Sequence, residues 1–276
     1  MNKEIKSVGM VERNVYEKPE LVMVSRNDNY SFTNEWYEIA LEDHFWMQWR
    51  FFVFKNLLKK AEISLKHQLN VLEIGCGKGV FLKQMEQNSF WNIDGADINW
   101  EALNDSVAKR SRLLLYNIME KRSEYKHAYD MVILMDVLEH IEKPGEFLEA
   151  CFFHIRPGGI FIINTPALPS MYSVYDESMG HFRRYNNKKL LQEFEIVEID
   201  KVVTIHWGFT LLPFLFLRKL LISKDAKRKD IVKKGFEPPG RLSHTVLKFF
   251  MRLELLFFKN LPIGTSIMNA VFITKD

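Results

Sequence analysis

Short, nearly continuous apolar runs alternate with stretches of helical period through the middle of the chain. Val71, Leu72 and Ile74 form the first apolar run, and a helix-like segment begins at Val80. Trp91–Ile98 (WNIDGADI) is a second strand and 113–118 (LLLYNI) carries a third. Met131–Asp136 (MVILMD) is apolar to its last residue, as a buried parallel strand should be. A helical stretch, PGEFLEACFFHI, ends at the Pro and two Gly of RPGG, which stop a helix and turn the chain; IFIINTP then reads as a fifth strand. FEIVEIDKVVTIHW is a sixth and GTSIMNAVFIT a seventh, expected as the antiparallel partner of the sixth. Strands alternating with helices predict an α/β fold with a doubly wound, mostly parallel sheet of seven strands.

The flanks follow different patterns. Residues 1 to about 33 lack clear periodicity, whereas a helical pattern begins at Asn34. Its run His44–Ala61 sets Phe45, Trp49, Phe52 and Leu57 near one stripe, widened by Trp46, Phe51 and Phe54. Such a helix packs over the sheet edge or acts as a lid over a ligand, and His44 before it faces a pocket or serves as a cap. Residues 208–263 are far too long for a hairpin loop between the last two strands. They hold an apolar run interrupted by Pro213, Arg218 and Lys219, a basic stretch at 223–234, a Pro-Pro-Gly break at 238–240 and a second amphipathic run. Two helices are expected there, capping the domain, pairing in a homodimer, or meeting a lipid-linked substrate or a membrane surface. The resulting division is 1–66 for the N-terminal segment and helical lid, 67–207 for the core, 208–263 for a helical insertion and 264–276 for the last core strand.

Composition narrows the partners. Lys and Arg number 38 against 35 acids, an excess too small to predict a nucleic-acid surface. Only two cysteines occur, Cys76 and Cys151, too few for a disulfide framework, so a reducing compartment is expected. The polar start MNKEIKSVGMVERN has no apolar stretch of the signal-peptide kind. The expected location is the cytoplasm, with peripheral contact at the inner membrane surface as an alternative.

Chemistry concentrates around Val71–Val80, VLEIGCGKGV. Glu73 lies near the end of the first strand, and Gly75, Gly77 and Gly79 follow with Cys76 between them; alternate glycines let a ligand approach the backbone. The dinucleotide fingerprint G-x-G-x-x-G does not fit, because the third glycine comes one residue early and Val80 stands where that pattern needs glycine. Asp97, about twenty residues on and at the end of the second strand, suits two ribose hydroxyls. Asp94 competes for that role but sits before Gly95 and reads as a turn acid.

E-x-G-x-G-x-G resembles motif I of the class I S-adenosylmethionine (SAM) methyltransferases, and the segment order over 69–200, with IRPGG, resembles them again. The resemblance implies that the glycines shape the methionine pocket. It also implies that Glu73, Cys76, Asp97 and Ile98 belong to the cofactor site, that Asn117 and Ile118 flank adenine, and that Met135 and Asp136 close the other side. A tight turn without ligand is the plain alternative. Asp136, Glu139 and His140 fall at i, i+3 and i+4, one face of a helical turn, and converge on the expected cleft. This D-x-x-E-H is similar to the E-x-x-E-H of ubiquinone-biosynthesis O-methyltransferases and small-RNA 2′-O-methyltransferases, in which a later histidine completes a metal site. GHFRRY offers His181 at the comparable place. By that likeness Asp136, Glu139, His140 and His181 are the catalytic candidates and a ligand set for Mg²⁺, Mn²⁺ or Zn²⁺, with Asp136 one methylene shorter than Glu. Without a metal, His140 or His181 is left to take a proton from the acceptor.

Beyond the fifth strand, Tyr172, Tyr175, Arg183, Arg184 and Tyr185 crowd a loop at the carboxyl edge, where specificity is placed. They are the substrate candidates, the arginines suiting an anionic group or pairing with acids. G-H-x-R-R-Y resembles a subgroup of bacterial methyltransferases found with surface-glycan and natural-product enzymes. The expectation is a SAM-dependent enzyme methylating a hydroxyl of a small molecule, sugar or lipid-linked intermediate. N- or C-methylation and cofactor binding without turnover are the rivals. DNA is not an expected partner, and no basic, aromatic-rich module for RNA is visible.

Overall fold

A computed structural model describes residues 19–27, 42–221, 241–257 and 261–275. The expected helix start at Asn34, the basic stretch at 223–234 and the break at 238–240 lie outside them.

The chain forms β1 (Leu21–Met23), α1 (Phe45–Lys60), β2 (Asn70–Ile74), α2 (Val80–Asn88), β3 (Asn92–Asp97), α3 (Trp100–Asn104), β4 (Arg112–Leu115) and β5 (Tyr129–Met135). It continues through α4 (Pro144–Phe153), β6 (Ile155–Pro166), α5 (Val174–Ser178), α6 (Asn187–Gln192), β7 (Ile199–Trp207), α7 (Leu212–Leu221), α8 (Arg241–Phe257) and β8 (Ser266–Ile273). One sheet runs β1-β4-β3-β2-β5-β6-β8-β7. All pairings from β1 to β6 are parallel, and β8 is antiparallel to both β6 and β7. The order reverses between β2 and β5, and a crevice opens at the carboxyl ends of strands where order reverses.

The sheet has eight strands rather than the expected seven. The additional one, β1, comes from the segment without clear periodicity, because three residues are too few to show a period of two. It is held by backbone bonds, Leu113 N to Glu20 O (2.7 Å) and Val24 N to Leu115 O (3.1 Å). Asp94 is a second correction: it lies inside β3, buried, accepting from Arg112 (2.6 Å) and from the Tyr129 hydroxyl (2.9 Å). Phe194, expected at the start of a strand, instead follows α6, and its strand begins at Ile199.

Aromatic and aliphatic side chains cover both faces of the sheet. Trp49, Phe54 and Leu57 of α1 pack with Phe81 and Met85 of α2 in one cluster, while Leu148 and Phe152 of α4 pack with Leu190 and Phe194 in the other. His44 caps α1, its Nδ1 accepting from Trp46 N at 3.2 Å. Of the stripe expected on α1, Phe45, Trp49 and Leu57 are buried, but Phe52 is 43% exposed with Lys55 Nζ over its ring. At about 100° per residue the buried arc runs through Met47, Arg50, Phe54 and Leu57, which turns position 52 to solvent. In the insertion, α8 packs against α1. Its buried Glu254 accepts from Gly208 N (2.6 Å) and from Thr210 N and Oγ1 (3.0 and 3.1 Å), tying α8 to the segment that leads into α7.

Candidate active site

The glycine loop sits where the sheet order reverses. Gly75 has φ +75°, and a Cβ on it would lie 2.6 Å from Val137 Cγ2, so the loop and the turn after β5 are in direct apposition. Gly77 has φ +52°, and its N–H donates to Asp97 Oδ2 at 2.7 Å; Asn99 N donates to Oδ1 at 2.8 Å. Asp97 is thereby fixed at the tip of β3, with further lone pairs on both oxygens for hydroxyl donors. Burial raises its pKa, opposed by the N–H groups of Asn99 and Gly77. Cys76 is buried and its thiol pKa is pushed up by desolvation. Ile98 is exposed beyond Asp97, Ile118 is buried, and Asn117 caps the turn that follows it, Oδ1 accepting from Met119 N at 3.1 Å.

Beneath the loop lies a residue the sequence reading passed over. Arg50, the one charged side chain in Phe45–Phe54, is buried on α1, its guanidinium over the Phe81 ring. Its Nη1 donates to Asp136 Oδ2 at 2.7 Å, while its Nε has no hydrogen-bond partner. Glu73, also buried, has an unpartnered Oε2, and desolvation pushes its pKa up to about 8 against the pull of Arg50. A buried cation and a buried acid, each with an unsatisfied atom, suit a ligand carrying both carboxylate and ammonium, such as the methionine end of SAM.

Asp136 follows Met135, which is buried at the end of β5, and takes φ +61°. This bend turns its carboxylate toward Arg50 and Asn164, whose Nδ2 donates to Oδ1 at 2.5 Å; Asn164 Oδ1 in turn accepts from Trp207 Nε1 at 2.9 Å. The helical face expected to unite Asp136 with Glu139 and His140 therefore does not form. A 3₁₀ turn, Leu138–His140, brings Glu139 and His140 to His181 instead, with one donor atom from each within 4.8 Å of the others. Asp136 stands outside that trio.

The trio is preorganised. His140 Nδ1 lies 3.2 Å from Gly180 O, and His181 Nδ1 lies 3.1 Å from Asp176 Oδ1, contacts that hold both rings in place. Desolvation and His181 lower the His140 pKa to about 3, keeping that imidazole neutral. Glu139 is fully buried with no hydrogen bond to either carboxylate oxygen, and desolvation and Asp136 hold its pKa well above the usual range.

The substrate candidates divide. Arg184 is buried, donating to Asp176 Oδ1 (2.7 Å) and Ala167 O (3.1 Å); it supports His181 through Asp176 and presents no open fork to an anion. Arg183 donates to Glu142 O at 2.7 Å, and Tyr172 OH to His181 O at 2.7 Å. Tyr175 is buried under the Arg218 guanidinium of α7, 3.6 Å from the ring centroid, and Tyr185 is buried after β6. An open cavity borders Arg183, Tyr185, Lys189 and Glu193, away from the glycine loop. Asp176, Asn164 and Trp207 complete the site without a sequence signal beyond a polar residue in an apolar strand and a crowded loop.

Residues 32–206 match the model of a methyltransferase domain. The chain belongs to that family. Over 102 residues the methyltransferase is 31% identical to the ubiquinone biosynthesis O-methyltransferase of Caulobacter vibrioides, covering 35% of this chain and 40% of the relative. Over 124 residues it is 32% identical to the protein of that name from Psychrobacter cryohalolentis, covering 42% and 48%. The matches thus span less than half of either relative. A SAM-dependent methyltransferase from Archaeoglobus fulgidus superposes with a TM-score of 0.50 at 16% identity, over 80% of this chain and 93% of that one. A Haemonchus contortus phosphoethanolamine N-methyltransferase complexed with S-adenosylhomocysteine gives 0.50 at 15%, over 80% and 52%. The fold is the class I methyltransferase fold, and SAM is the cofactor it carries.

Proposed function

We propose that this methyltransferase transfers the methyl group of SAM to a hydroxyl of a small molecule, sugar or lipid-linked intermediate, with a divalent ion held by Glu139, His140 and His181. The observation that carries this reading is Glu139: a side chain with no hydrogen-bond partner on either oxygen, buried beside two imidazoles with one donor atom of each residue within 4.8 Å of the others. An uncompensated buried carboxylate is costly, and a cation beside it removes that cost. Two imidazoles with one carboxylate suit Zn²⁺ or Mn²⁺ better than Mg²⁺, which prefers oxygen ligands. Asp176 behind His181 is the outer-shell carboxylate that such sites employ. Bound there, such an ion would act as a Lewis acid on the acceptor oxygen and lower the pKa of the hydroxyl.

The protein's own groups do the rest. Asp97 holds ribose, Glu73 takes the ammonium and Arg50 the carboxylate of the methionine moiety, and the glycine loop brings backbone against them. Their common task is alignment, because methyl transfer from a sulfonium is an in-line displacement. His140, neutral at pH 7, offers a lone pair and not a charge to such an ion. The 31–32% identity to ubiquinone biosynthesis O-methyltransferases supports oxygen as the acceptor atom.

Calorimetric titration with S-adenosylhomocysteine, then with Zn²⁺, Mn²⁺ and Mg²⁺, tests both halves. Cofactor binding lost in Asp97→Ala, and a separate metal isotherm lost in His181→Ala, are the expected results. Cofactor binding without any metal isotherm sinks the metal-assisted part and leaves a metal-free methyltransferase; no binding of either sinks the whole reading.

A further inference from the structure

We infer that α7 seats the protein on an anionic lipid surface. The helix is ten residues long, and its outer side is apolar: Phe214, Phe216, Leu217 and Leu220 are 52%, 57%, 50% and 66% exposed. Half-exposed large side chains in one short helix form an unusually apolar patch for a protein surface. On the second insertion helix Val246 and Phe249 are likewise exposed, whereas Met251 and Glu254 face inward.

The charges select the occupant. Among the described ionic side chains of these helices Lys219 and Arg252 are exposed and Arg218 and Lys248 partly buried, all cationic, and the acid among them, Glu254, is buried and fully engaged with Gly208 and Thr210. An apolar face flanked by cations matches the boundary between anionic head groups and acyl chains. A second copy of the chain fits less well, since a two-fold contact through this face would set Lys219 and Arg252 near their own copies with no exposed acid among the described residues of either helix to pair them. Among the described residues no helix is long and apolar enough to cross a membrane.

Placement gives the contact a use. Lys219 Nζ donates to Ser170 O, and Arg218 lies on Tyr175, so α7 rests directly on the loop that carries His181. A helix lying in the interface there would hold the mouth of the site at head-group depth. This inference does not depend on the acceptor or the metal, because its readout is binding to lipid.

The test is co-sedimentation of the full chain with vesicles of phosphatidylcholine alone and of phosphatidylcholine with one third phosphatidylglycerol, at low and high salt. The expected result is pelleting with the anionic vesicles, release by salt, and a loss of about tenfold or more in the Phe216→Ser/Leu220→Ser double variant. Phe90→Ser, at a phenylalanine that is 69% exposed just beyond the end of α2, is the control and should pellet like the parent. The inference is overturned if the parent pellets with neither vesicle, or if the double variant pellets as the parent does. It is also overturned if light scattering finds the parent dimeric and the double variant monomeric, which would assign the face to a second copy.

Discussion

Replacing Arg50 by methionine separates its two tasks. Methionine retains the stem that packs on Phe81 but removes the charge, so Asp136 loses its 2.7 Å partner. Breaking a buried ion pair costs about 3–5 kcal/mol. The Asp136 side chain here keeps its bond to Asn164 and is 17% exposed, so we expect about 2 kcal/mol, a fall in Tm of about 5 °C. Hydrogen bonds to a charged group contribute about 1.5–3 kcal/mol, so S-adenosylhomocysteine should bind about 10- to 150-fold more weakly to Arg50→Met. Adding Asp136→Asn removes the stranded charge, and the double variant should regain most of the stability but none of Arg50's share of the affinity. Thermal melts and calorimetry on the four proteins give both cycles. If Arg50→Met binds the cofactor product as tightly as the parent while Asp97→Ala does not, Arg50 is a structural ion-pair partner and the carboxylate assignment is wrong.

The remaining expectations are narrower. Gly75→Ala must hold φ +75° and drive its Cβ into Val137, so it should cost about 1–2 kcal/mol from backbone alone and weaken cofactor binding in the same titration. Asp176→Asn should lower metal affinity by about 10- to 100-fold by freeing His181 while leaving cofactor affinity unchanged; equal loss of both would mean the loop has collapsed. For the pH dependence, Glu73 has its folded pKa raised to about 8, so its contribution to stability is present below the ordinary carboxylate pKa of 4.5 and is lost as pH rises toward 8. His140, lowered to about 3, contributes in the opposite sense: stability present above 6.5 is lost as pH falls toward 3. Denaturant melts across pH should show Glu73→Gln flattening the first slope, to which Asp97 and Glu139 contribute in the same sense, and keeping the second.

The sheet was legible because its strands are buried on both faces and stand out as apolar runs such as Met131–Met135, and the glycine loop because its spacing is itself the signal. The three-residue β1 left no periodic trace. Glu139, His140 and His181 could be named from sequence, yet the position of Asp136 could not, because one positive φ decides which way its carboxylate turns. Arg50 was hidden for a different reason: a lone cation in an aromatic helix reads as an interruption of the core until the sheet places acids on the other side of it. Of the two roles its pattern left open, an anion contact or a pairing with an acid, Arg184 takes the second, with Asp176.

The grip of Glu254 on Gly208 and Thr210 also bears on how this insertion can change over generations. The clamp brings together two points 44 and 46 residues apart in the chain, so the ends of the excursion are fixed whatever length of chain joins them. For a flexible connection each doubling of length costs only about 0.6 kcal/mol of closure entropy. With both ends of the excursion held by Glu254, the seating of α7 and α8 on the core rests on backbone and side-chain bonds at those ends.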